Sequence, residues 1–314
     1  MTASVRAEKE ARKQILKRQL RRYLPLYILL IPPLIYLIVL RFYPMVAQVV
    51  ISFSDYKIKG GIWNSPKVGF ANFQKLFSSA SFTQIMINTI RISVINLLLG
   101  FLPPIVLAIA LFDMVSQKAS RVCQNLLYIP HFFSWVVVYN ITVALLQPTG
   151  YLNGVLAALG LPQQNWMMKV SGFLPIIAGT SLWKELGWGT IIYMAALTSI
   201  DTQLYEAAKI DGAGPIQRIR YITLPGILPV VVFVLTMSLG QIFSAANTEQ
   251  VLLFQGAANY SVSDTIGTWV YRQGLGKFEY SLGSAVDMFQ SLIGLALVLI
   301  CNKAANKTAG VGIW

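Results

Sequence analysis

Charge is what this sequence has least of. Asp, Glu, Lys and Arg make up 12% of the 314 residues, about half the roughly 25% of an ordinary soluble domain. With 55% of the residues hydrophobic, so few charges cannot clothe a particle in water, which excludes a cytosolic enzyme and a disordered chain. Two cysteines, Cys123 and Cys301, lie in or beside apolar stretches and exclude a disulfide framework or a CxxC metal pair. A single histidine, His131, excludes a multi-histidine metal site. There is also no G-x-x-x-x-G-K-[ST] phosphate loop. The only Gly-Lys pair, Gly276-Lys277, runs into Phe278 and lacks the upstream glycine.

What the sequence has instead is long apolar runs. About 20 such residues span roughly 30 Å of hydrocarbon as a helix. Six segments qualify: Pro25–Phe53, Ile87–Phe112, Val122–Leu146, Val170–Ile200, Ile222–Ala245 and Ala285–Cys301. They predict an all-α integral membrane protein with six transmembrane helices. The fourth is the least clean, because Gly179, Lys184, Glu185, Gly187 and Gly189 interrupt it. The first exceeds a signal-peptide core and lacks an A-x-A-like site, so it reads as a retained helix. The expected organisation is a basic tail over residues 1–23, a six-helix domain over 24–302 and a short tail over 303–314.

The net charge of +13 is not a nucleic-acid signature. Eight of the 25 Lys and Arg residues fall between Arg6 and Arg22, where a cytoplasmic tail meets anionic lipid. With the N-terminus inside, the cytoplasmic segments hold fifteen basic residues and the outer segments seven. That bias predicts both termini on the cytoplasmic side. Prolines such as Pro32, Pro33, Pro103, Pro104, Pro130, Pro175 and Pro229 fall inside the runs and predict bent helices.

The cytoplasmic stretch between the fourth and fifth segments reads SIDTQLYEAAKIDGAGPIQRIRYITLPGILP. Asp201 is a good N-cap for a helix from Thr202 to about Ile210. Gly212 stands where a left-handed C-terminal residue is wanted, and Pro215 suits the first turn of a second helix. A mere connector would be shorter. A folded loop of mixed charge on this face is what a docking element for a soluble partner requires.

Glu206-Ala207-Ala208, Asp211-Gly212-Ala213 and Ile222-x-Leu224-Pro225 resemble the EAA loop of permease subunits of binding-protein-dependent ABC importers. Trp183-Lys184-Glu185-Leu186-Gly187-Trp188, Ile191–Leu197 and Gly312-Ile313-Trp314 are similar to the LplB-like branch, associated with complex saccharides that include uronic-acid oligomers such as alginate and aldouronates. The resemblance implies a type I importer fold in a bacterial cytoplasmic (inner) membrane. It implies that Glu206, Ala207, Ala208, Asp211, Gly212 and Ala213 form the coupling element seated on an ATPase. The partners it implies are a second homologous permease subunit, an ATPase dimer and an extracytoplasmic solute-binding protein, with an oligosaccharide as substrate and membrane lipid around the chain. No cofactor is expected in this chain itself, since ATP and Mg belong to the ATPase subunit.

Candidates for the translocation path are Trp183, Lys184, Glu185, Trp188, Asn140, Gln241 and Asn247. Aromatic rings suit the apolar faces of sugars, and charged or amide groups suit their hydroxyls. Lys184 and Glu185 lie inside an apolar segment, where an unpaired charge costs at least about 2.5 kcal/mol, so both should face protein or water. They either line the path or hold neighbouring helices together. Neighbours on a helix point about 100° apart, so a pair between the two is not expected. The amides Asn96, Asn140, Gln241 and Asn247 serve interhelical hydrogen bonds as readily as a sugar. His131 has no acid nearby in sequence and reads as an interhelical contact. The first outer loop, Ser54–Met86, and the second, Thr248–Ser284, either meet a binding protein or, for much of the second, re-enter the membrane.

Two other classes compete. An ion-coupled secondary transporter would need buried acids and repeated halves, and Glu185 is the one clear candidate. A membrane-embedded enzyme would need a nucleophile–base pair or a metal cluster, and neither is legible.

Overall fold

The structure, a computed structural model, describes residues 3–243 and 248–313. Asn247 and Trp314 lie outside the described residues. Helix α1 (Ala3–Leu37) passes through a π-helical turn at Ile38–Phe42 into α2 (Tyr43–Ser52). A connecting segment follows with α3 (Gly61–Asn64) and α4 (Ala71–Phe77), tied by an isolated antiparallel bridge between Ser54 and Lys67. Then come α5 (Phe82–Phe112), α6 (Gln117–Tyr128), α7 (Trp135–Leu146), α8 (Tyr151–Ala158) and α9 (Val170–Thr198). The loop helices α10 (Thr202–Ile210) and α11 (Pro215–Arg218) lead into α12 (Leu224–Gly240). Short helices α13 (Thr248–Phe254), α14 (Tyr260–Ser263) and α15 (Ile266–Val270) precede the last long helix, α16 (Tyr280–Ala309).

Among the described residues, four helical stretches are long and apolar enough to cross a membrane: Arg22–Ser52, Phe82–Phe112, Pro215–Gly240 and Tyr280–Thr308. A fifth counts if the pair Gln117–Phe132 and Trp135–Ala158 is one span. Helix α9, at 29 residues, is about 44 Å long and has the reach for a sixth. Its glycines, hydroxyls, Lys184 and Glu185 dilute its apolarity below that of the others. It is nevertheless one unbroken α-helix, despite the interruptions that make its sequence ambiguous.

The third segment departs from a single straight helix. Its halves meet at 101°. The cause is local. Pro130 sits in a 3₁₀ turn at Ile129–Phe132, Phe133 turns extended, and the Ser134 hydroxyl caps α7 by accepting the Val137 N–H at 3.3 Å.

Three buried clusters stack along the molecule. Leu76, Ile85, Ile266, Trp269, Leu282 and Val286 join α5 and α16 to α4 and α15. Ile92, Phe173, Ile177, Val251 and Phe254 fill the middle. Ala108, Tyr193, Ala196, Leu197 and Ile227 close the end beside the α10–α11 loop. Helix α1 takes no part in them: every residue from Arg22 to Val46 with a described side chain is exposed in the single chain. Lipid or another subunit has to cover it.

The stretch after residue 247 is a folded plug rather than an open loop. The buried Gln250 side chain donates to the Ile177 carbonyl at 3.0 Å and the Thr180 hydroxyl at 2.9 Å, and accepts from Ser181 at 3.1 Å. Asn88 donates to the carbonyls of Ser261 and Asp264, both at 3.0 Å. Arg272 holds the Asp264 carboxylate with two bonds, at 3.1 and 2.9 Å. Gln250→Leu strands the α9 groups, at about 1–3 kcal/mol for each left unpaired. A fall of several degrees in the detergent melting temperature is the expected result, and an unchanged melting point would show that the plug contributes little.

Candidate functional site

Two places concentrate the features that sequence singles out. The first is the α10–α11 loop. Asp201 accepts the Gln203 N–H at 2.9 Å and starts α10. Gly212 ends it at φ +76°, in the left-handed region. The Ala213 N–H reaches the Ala208 carbonyl at 2.8 Å and the Gly212 N–H reaches that of Lys209 at 3.1 Å, the paired bonds of a Schellman cap. Pro215 opens α11, and the Gln217 side chain accepts the Gly214 N–H at 2.7 Å.

The loop is anchored on one side only. Tyr205 bonds the buried Thr223 hydroxyl at 3.0 Å, and its ring lies 6.1 Å from that of Phe112. Glu206, Ala207, Asp211 and Gly212 are exposed, while Ala208 and Ala213 are half-buried. Ile210 and Ile216 are 88% and 80% exposed. Apolar side chains left this open on a rigid, capped turn are what a protein partner buries.

The second place is a cavity of about 620 Å³ at the middle of α9. Trp135, Glu185, Trp188 and Gln241 form its wall together with Asn96. Ser93, Ser181 and Ser238 add hydroxyls. The amide of Asn96 has no hydrogen-bond partner among the described residues, so the interhelical role open to it in sequence is not met among them.

A polar knot fixes the cavity wall. The Glu185 carboxylate sits 2.7 Å from His131 Nδ1 and 3.3 Å from Lys184 Nζ. Lys184 is buried, donates to the His131 carbonyl and lies 5.6 Å over the Trp135 ring. The His131 ring stacks on Trp188 with centroids 4.2 Å apart. Each partner has a reason. The 3₁₀ break at Pro130 takes the His131 carbonyl out of a regular helix, and a lysine ammonium satisfies it. The ammonium and the imidazole both reach the Glu185 carboxylate, and partners of this kind are what an ionisable group inside an apolar segment requires.

Two sequence expectations are corrected here. Lys184 and Glu185 do pair, because the flexible lysine stem swings its head across the 100° between them. His131 does have an acid beside it, one that stands 54 residues along the chain.

The other candidates scatter. Trp183 faces away from the cavity into a separate groove between α7, α8 and α9. Asn140 is exposed on α7 and lines neither space. Trp135 escaped sequence reasoning, although the Ser134 cap inside an apolar run is a legible sign of a helix start beside it.

The family model described as binding-protein-dependent transport system inner membrane component matches residues 90–303. Protein LplB of Bacillus subtilis (strain 168) is 37% identical over 290 residues, covering 92% of this chain and 91% of LplB. The polygalacturonan/rhamnogalacturonan transport system permease protein YteP of the same strain is 36% identical over 308 residues, covering 98% and 95%. Among solved structures, a chain of a bacterial alginate ABC transporter in complex with alginate pentasaccharide-bound periplasmic protein superposes with a TM-score of 0.85 at 32% identity, covering 94% of this chain and 99% of that one. With the family model spanning 214 residues and both LplB and YteP aligned almost end to end, this chain belongs to the inner membrane permease components of binding-protein-dependent ABC transport systems.

Proposed function

We propose that this permease forms half of an import pathway for oligosaccharides, uronic-acid-containing ones included, in a bacterial cytoplasmic membrane with both termini inside. A second homologous permease completes the pathway, a dimeric ATPase binds ATP and Mg, and an extracytoplasmic binding protein delivers the sugar. The observation that carries the reading is the cavity wall, which sets two indole rings beside a carboxylate and two amides. Rings of that kind take the apolar faces of pyranoses, and the polar groups take hydroxyls. The names of YteP and of the alginate transporter support a saccharide of this class.

In this reading ATP binding draws the ATPase halves together, and α10, with Glu206 outward and Gly212 holding its cap, carries that movement into α9 and α12. The cavity opens outward, accepts sugar, and returns inward after hydrolysis. The chain itself makes no covalent bond.

The test is reconstitution of the co-purified complex in liposomes, with uptake of labelled oligogalacturonate or alginate oligomers measured with and without ATP. Uptake at least tenfold greater with ATP and binding protein is expected. Uptake that survives ATP removal and collapses with the proton gradient would return the ion-coupled alternative. Trp188→Ala, by removing a stacking face, is expected to raise the apparent KM for oligosaccharide about two- to tenfold while leaving basal ATP hydrolysis unchanged, since stacking contacts of an aromatic ring carry roughly 0.5–1.5 kcal/mol.

A further inference from the structure

Helices α7, α8 and the first half of α9 enclose a groove of about 790 Å³ that the central cavity does not share. Its floor along α9 is made by Gly172, Pro175, Ile176, Gly179, Thr180 and Trp183. From Gly172 to Trp183 that floor is about 16 Å long at the α-helical rise, close to half of the roughly 30 Å hydrocarbon thickness. Ile141, Leu145 and Leu152 make the opposite wall apolar. The trough is one leaflet deep.

Its mouth has a different chemistry. Lys169 stands at the start of α9, donates to the Gln164 side chain and lies 5.7 Å from the Trp166 ring. An ammonium keeps two more donors after that bond. The Trp166 indole N–H is buried without an acceptor among the described residues. The groove lining contains no Asp or Glu. An ammonium and an unpartnered indole N–H thus stand among lining residues that include no anion, at one end of an apolar channel of leaflet length.

We propose that this groove is a binding site for an anionic phospholipid, with the phosphate on Lys169 and the Trp166 N–H and an acyl chain along α9 to Trp183. Phosphate supplies the acceptors the mouth lacks, and Lys serves phosphate as a point charge. Tryptophan at this depth is at home at the headgroup level. A neighbouring subunit's helix would fill the trough but leave those donors needing an acceptor, so the mouth favours the lipid.

The experiment uses the intact complex, purified in mild detergent, supplied with phosphatidylglycerol and analysed by native mass spectrometry. Wild type is expected to retain phosphatidylglycerol that Lys169→Ala and Gly179→Phe retain at least fivefold less, and to retain phosphatidylcholine at least fivefold less. Gly179 suits this purpose, since a side chain there meets nothing within 4 Å. Wild-type retention in Lys169→Ala overturns the assignment of the headgroup. Loss of the second permease subunit from the Gly179→Phe complex also overturns the proposal, because the groove would then seat a helix of that subunit.

Discussion

Proline at Gly212 is expected to leave the permease in the membrane and to cut ATP-driven uptake at least tenfold. The backbone at this position has φ +76°, whereas proline is fixed near −65° and carries no N–H. The substitution therefore removes the bond to the Lys209 carbonyl and the left-handed turn together. Asparagine tolerates that turn, so Gly212→Asn should keep most of the uptake, which separates the backbone requirement from simple intolerance of a side chain. Glu206→Lys approaches the same element through charge. Glu206 is exposed on α10 and reverses without disturbing the fold, so insertion and yield should match wild type while uptake falls. Normal transport by both Gly212→Pro and Glu206→Lys would sink the coupling assignment.

The second large effect is at Gly187. A Cβ there would lie 2.0 Å from the Leu127 carbonyl oxygen and 2.4 Å from its carbon. Those are backbone atoms of α6, so no side chain can move aside. Gly187→Leu is expected to cost about 3 kcal/mol or more, the upper part of the range for overpacking, and to leave little folded protein in the membrane. Gly179→Ala on the same helix meets nothing within 4 Å and should be neutral. Fluorescence-detected size-exclusion of the two variants, with melting curves, gives the comparison. Equal melting temperatures would mean that α6 and α9 do not cross as closely as described.

The two sites differ in how far sequence reveals them. The α10–α11 loop is nearly complete in the sequence because its contacts are local: the Asp201 cap, the Gly212 turn and Pro215 each act within a few residues. Its boundaries at Thr202 and Ile210 follow directly. The long helices are legible for the same kind of reason, since apolar length is a local property.

The polar knot is not local. His131 and Glu185 meet across 54 residues, and neither residue carries a mark of the other. The bend that brings them together depends on Pro130 and Ser134, two ordinary residues in an apolar run that reads as one straight span. The rule that adjacent helical side chains diverge is sound for their Cβ atoms and fails for a lysine head on a four-carbon stem. Trp183 and Trp188 show the complementary limit. Five positions apart, they turn about 140° from each other on a helix, yet which of them faces the cavity depends on where α5 and α12 pack.

From Arg22 to Val46, across α1 and the start of α2, every residue with a described side chain is exposed in the single chain. The packed clusters draw on α4 and later elements, from Leu76 to Val286 and from Ala108 to Ile227. What holds this span in place therefore comes from outside the chain. When the covering lipid or subunit is stripped away by detergent, it is the part of the protein that loosens first.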